Sequence, residues 1–149
     1  MNQPNLATAS GERIIETMIE LARCSKLHRI IVAGSKEPRL MFELHRRGYN
    51  RVATTATCGL PRGQCDVGFV DWQQQSIKVL KTSLDRVAHF LAPTSVLVIW
   101  IDSCESTDRR KLGSILERLG FRVEVGTQCE RGLAISARRL DVNQQAIAA

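Results

Sequence analysis

The chain has 149 residues, 44% of them hydrophobic, and a formal net charge of +6. This length fits a single domain over 1–149, able to bury roughly 70% of its unfolded surface. The longest apolar run, 96–101, is strand length; it falls well short of the ~20 residues of a membrane span, so no membrane-embedded helix is expected.

Five cysteines (Cys24, Cys58, Cys65, Cys104, Cys129) are scattered, and no pair has the two-residue spacing of a zinc knuckle or a dithiol motif. With three dispersed histidines, no metal site is expected. The start MNQPNLATASGER lacks a basic segment followed by an apolar core, so a cytoplasmic protein with reduced thiols is expected.

Loose tails are expected at 1–9 and 141–149. Ser10 is placed to cap a helix whose apolar stripe is Ile14, Ile15, Met18, Leu21 and Ala22, with Glu12 near its positive end. Ile30, Ile31, Val32 and Ala33 form a short apolar run, the pattern of a strand buried on both faces. Gly34 and Ser35 break it. Pro38 suits a first helical turn, Leu40, Met41 and Leu44 recur at helical spacing, and Gly48 offers a stop. The β-branched stretch 51–57 reads as a second strand, 58–65 as a Gly/Pro-rich loop, and 66–71 (DVGFVD) as a third strand.

The longest helical pattern follows: Ile77, Leu80, Leu84, Val87, Ala88 and Leu91, ended by Pro93. Residues 94–102 form the most apolar strand, expected near the sheet centre. Leu112, Ile115, Leu116 and Leu119 mark a shorter helix closed by Gly120. Strands at 121–125 and 133–138, joined by the loop 126–132, are close enough to pair as a hairpin. Together these elements make an α/β domain: a mostly parallel sheet with a C-terminal antiparallel hairpin and an N-terminal covering helix.

Ligands of open α/β sheets bind at the carboxyl ends of the strands, so the turn 34–37 is where a site is expected first. Asp71 and Asp102 end neighbouring strands on that edge. Asp71 could serve as a general base or hold a substrate amine, with Asp102 in support; the commoner use of such aspartates is to cap the next turn. Trp72 could stack on a flat ligand or pack at a helix start. Trp100 reads as core, and His89 lies on a helix flank. No Gly-x-Ser-x-Gly elbow and no Gly-Lys-Ser/Thr phosphate loop occurs.

The order of DVGFVD, a long helix, FLAPTSVLVIWI, a helix, LGFRVEV and a returning strand resembles the second half of the class I S-adenosylmethionine-dependent methyltransferases. Residues 91–98 resemble that family's L-x-P-G-G-x-L-V passage, with Thr94 and Ser95 at its two small positions. The resemblance covers 28–139. It implies a Rossmann-like three-layer fold and S-adenosylmethionine bound by Gly34, Ser35, Thr54, Thr55, Asp71, Trp72 and Asp102, with Asp71 as the catalytic candidate.

Three features depart from the family. The loop after the first strand has one glycine, followed by Lys36 and Glu37. The end of the second strand carries Thr54, Thr55 and Thr57 where the family has a ribose-holding acid, and a hydroxyl is no bidentate acceptor. Eight residues, 58–65, stand where the family has a helix, a strand and another helix. Either an edge strand has been lost or the second strand lies elsewhere, since a parallel crossover takes a dozen residues or more. At ~3.3 Å per residue the loop spans ~26 Å at most, so a helix-free, nearly extended path and a shallow pocket are expected.

Two functions are consistent with this pattern. One is a small methyltransferase-like protein with a degenerate site. The other is a non-catalytic interaction module, self-associating through the edge strand at 51–57 or binding a small molecule or a protein partner. The charge comes from basic doublets at 46–47, 109–111 and 138–139. Should they converge, weak nucleic-acid binding becomes a third option.

Overall fold

The computed structural model describes residues 6–34, 37–72, 76–102, 106–129 and 132–140. The elements in chain order are α1 (Leu6–Ala22), β1 (Ile30–Gly34), α2 (Glu37–Arg46), β2 (Val52–Thr54), β3 (Cys65–Trp72) and α3 (Ile77–Phe90). They continue with β4 (Leu91–Ile101), α4 (Ser106–Arg118), β5 (Phe121–Cys129) and β6 (Gly132–Arg139). The tail 141–149 lies outside the described residues. Among the described residues no helix is long and apolar enough to cross a membrane.

The six strands form one sheet in the order β2-β1-β3-β4-β6-β5. The first four run parallel, and β6 and β5 close the other side antiparallel. This settles the alternative left open by the short loop: the second strand is in place, paired with β1, and it is the sheet edge. The chain then crosses to β3 on the far side of β1 without forming a helix, turning at 55–57 and 62–63.

Side-chain alternation divides the core in two. On one face Met18 of α1 and Leu40 and Leu44 of α2 cover Val32, Phe69, Val98 and Trp100. On the other, Leu80, Leu84 and Val87 of α3 and Leu112 and Leu116 of α4 cover Ile31, Val70, Leu97 and Ile99. The result is the expected three-layer arrangement, with the apolar strand β4 well inside the sheet.

Several boundaries differ from the sequence expectation. Helix α1 begins at Leu6, so Ser10 lies within it rather than at its cap, and 6–9 is not a loose tail. Ala7 and Ala9, good helix formers, extend it. Strand β4 begins at Leu91, directly after α3, and contains Pro93. The β3–β4 register jumps from Cys65↔Leu91 to Val67↔Val96. Proline is therefore accommodated where regular pairing is interrupted, as strands allow. The hairpin is longer than expected: pairing continues through Thr127↔Ala134 to Cys129↔Gly132, so most of the expected loop 126–132 is ladder.

Cys58 and Cys65 lie at the two ends of the crossing loop, with their thiols close enough to influence each other. Burial first, and then the neighbouring Cys58, pushes the Cys65 thiol up to about 12; burial and then Asp66 raises Cys24 to about 11. Thiolate is the reactive form. Both cysteines should therefore resist iodoacetamide at pH 8 in the native protein and react on unfolding, as peptide mapping by mass spectrometry would record. Rapid native alkylation of Cys65 would contradict this. Because the folded values lie above the unfolded value near 9, this stabilisation is complete below pH 9. It is lost as pH rises toward 11–12, where the unfolded chain releases these protons first.

Candidate functional site

The carboxyl edge of the parallel strands brings most of the expected residues together. Gly34 of β1 pairs with Asp71 of β3, which pairs with Trp100 of β4, which pairs with Ala134 of β6. This row lies on the α1–α2 face, because Trp100 and Phe69, two residues before Asp71, belong to that layer's core. Asp71 is 7% exposed. Asp102 is half-buried one residue past β4, and its backbone N–H donates to the Trp72 carbonyl at 3.3 Å. Ser35, the other member of the first turn, lies outside the described residues.

Trp72 sits elsewhere. Its side chain is 5% exposed and belongs to the α3–α4 core, on the opposite face from Asp71. The indole is thus packed, the second of the two roles the sequence allowed, and offers no stacking face beside Asp71.

The end of β2 is the part sequence reasoning misjudged most. The strand stops at Thr54, not at Thr57. Thr54 N–H donates to Thr57 Oγ1 at 3.0 Å, Thr57 N–H donates to Thr54 Oγ1 at 3.1 Å, and the two hydroxyls lie 2.8 Å apart. Cys58 N–H adds a bond to the Thr54 carbonyl at 2.9 Å. β-Branched residues favour strands, but here their hydroxyls close a turn by local side-chain bonding. Thr55 lies inside this turn. Replacing Thr57 with valine leaves a buried N–H and hydroxyl of Thr54 without these partners, and should cost about 1–3 kcal/mol in chemical denaturation. An unchanged midpoint would show that the pair is not structural.

The cavity beside the crossing loop has a volume of about 280 Å³ and is lined by Ile30, Arg51, Ala53, Cys58, Leu60 and Cys65 among others. It opens near the start of β1, the amino end of the sheet, away from Gly34. Among the described residues no group of three or more His, Cys, Asp or Glu side chains is placed to hold a metal ion.

No protein-family model and no curated protein matches the sequence. Solved structures do match. The 1,6-didemethyltoxoflavin-N1-methyltransferase of Burkholderia thailandensis is 13% identical with a TM-score of 0.58; the match covers 95% of this chain and 92% of that one. The geranyl diphosphate C-methyltransferase of Streptomyces coelicolor is 9% identical with a TM-score of 0.65, over 87% and 81% of the two chains. The fold is that of the class I methyltransferases. A further match is the [4+2]-cyclase SpnF, 10% identical with a TM-score of 0.64 over 87% and 82% of the chains. The methyltransferase fold therefore does not by itself imply methyl transfer.

The described stretch 52–58 holds no carboxylate. Its Thr54 and Thr57 hydroxyls already bond to each other and to backbone N–H groups. Beyond β2 the sheet has no further strand among the described residues, so that side lacks the wall a longer crossover would supply.

Proposed function

We propose that this chain is a methyltransferase-fold protein with a degenerate cofactor edge, a binding module rather than a methyl-transfer enzyme. The end of β2 supports this most directly: a closed threonine turn on the outermost strand occupies the place where the family holds its cofactor's ribose. Gly34, Ser35, Asp71 and Asp102 remain the residues we assign to any ligand at this edge, with Asp71 the group that would meet a cationic substituent.

Titration calorimetry with S-adenosylhomocysteine, paired with thermal melts, tests the proposal. A hundredfold excess of ligand over its dissociation constant would add about 2.7 kcal/mol of stability. No heat and no change in Tm at millimolar ligand is the expected outcome. Saturable micromolar binding that Asp71→Asn weakens would overturn the proposal and restore the enzyme.

A further inference from the structure

The basic doublets of the sequence have different fates in the fold. Arg46 pairs with Glu43 at 2.9 Å, and Arg47 pairs with Glu16 at 3.3 Å. Arg138 pairs with Glu124 at 2.8 Å. Arg139, next in the chain, goes to the opposite side of its strand and lines a cavity of about 600 Å³ at the amino edge of the sheet. Arg62 from the crossing loop, Arg118 from the end of α4 and His89 from the end of α3 line the same cavity. Among the described residues its lining contains no aspartate or glutamate.

Arg139 is held in place before any ligand arrives. Its Nη1 donates to the carbonyls of Ala88 at 2.8 Å and Leu91 at 2.7 Å, where α3 gives way to β4. Its guanidinium carbon lies 5.5 Å from the centroid of the Phe121 ring, a cation–π distance. A guanidinium carries five N–H donors. The two bonds above use Nη1 alone, which leaves the Nε and Nη2 edge of the fork for another acceptor. That edge is the geometry that binds carboxylates and phosphates bidentately. Burial and then the nearby Arg62 both lower the Arg139 pKa, as expected where two guanidiniums lie close together.

We propose that this amino-edge cavity is a binding site for a phosphate monoester, clamped by Arg139, Arg62 and Arg118. The clamp is a second site, at the end of the sheet opposite Gly34 and Asp71, and it stands whether or not the carboxyl edge binds a cofactor. Three guanidiniums suit a dianion better than a single carboxylate. A cavity of about 600 Å³ with Pro93 and Leu119 on its wall has room for an organic body as well as the phosphate. The monoester could be that of a small sugar phosphate or the 5′ end of a nucleic acid strand.

Thermal melts and calorimetry on the full chain distinguish these sources, using ribose 5-phosphate, ribose, and an oligonucleotide with and without a 5′-phosphate. Sodium chloride at matched ionic strength is the screening control. Arg62→Met with Arg118→Met is the informative variant, because neither arginine supports a helix end as Arg139 does, and the apo protein should keep its Tm. Saturable binding of ribose 5-phosphate but not ribose, roughly tenfold or more weaker in the double variant, is expected for a small-molecule ligand. Binding that requires the oligonucleotide's 5′-phosphate, with the same loss in the variant, would support the site with a strand end as its source. A salt-matched chloride response equal to that of ribose 5-phosphate, or a double variant that titrates like the wild type, would overturn the proposal.

Discussion

Replacing Gly34 with alanine is expected to lower Tm by about 8–16 °C or more. Gly34 has φ +122°, a backbone conformation that costs an L residue about 1–3 kcal/mol. A Cβ at this position would also lie 2.7 Å from the backbone nitrogen of Asp71 and closer still to its carbonyl oxygen. Those atoms belong to the paired strand β3, so no side-chain rotation relieves the clash; the β1–β3 ladder itself would have to part. Strain and clash together should exceed about 4 kcal/mol, a large fraction of an ordinary domain's 5–15 kcal/mol. Circular dichroism of Gly34→Ala, with Gly59→Ala as a control at a site where a Cβ meets nothing within 4 Å, measures this. A Gly34→Ala melt within a few degrees of wild type would refute the close approach. The point bears on function, because the glycine shared with the methyltransferase loop already has a structural cause here. Its presence says little about a cofactor.

Much of this architecture was legible because local pattern and tertiary demand agree. The runs at Ile30–Gly34 and in β3 and β4 are apolar on both faces, as strands covered by helices on each side must be. The helical stripes at Leu80, Leu84 and Val87 and at Leu112 and Leu116 mark the faces that are buried. The illegible parts are those where something non-local, or a side-chain hydrogen bond, overrides propensity. Thr54 and Thr57 look like strand residues until their hydroxyls bond to each other. Pro93 looks like a strand boundary until an interrupted register gives it room. The arginine clamp was hidden for a different reason. Arg62, Arg118 and Arg139 come from a loop, a helix and a strand, and no spacing in the sequence marks them as neighbours. Within the pair 138–139 the sequence shows two equal charges, whereas the fold gives one a carboxylate and the other a cavity.

Phe69→Ala should lower Tm by about 10 °C or more, whereas Phe42→Ala should barely move it. Phe69 is 1% exposed and lies in β3, where it pairs with Val32 on one side and Val98 on the other. It belongs to the core beneath α1 and α2, so truncation opens a void that strands paired on both sides cannot close. Buried Phe→Ala changes cost about 3–5 kcal/mol for this reason, and in a domain of this size each kilocalorie lowers Tm by about 2–4 °C. Phe42 is 65% exposed on α2, and its truncation removes little buried area, an effect within about 0.5 kcal/mol. Equal shifts in the two variants would mean that α2 turns a different face to the sheet than Leu40 and Leu44 imply. The comparison also probes the candidate site, because Asp71 stands two residues beyond Phe69 on the same face of β3. A void there should loosen Asp71 and Trp100 before the sheet unfolds. Hydrogen exchange in Phe69→Ala should therefore rise first at the carboxyl ends of β3 and β4, while the antiparallel β5–β6 ladder stays protected.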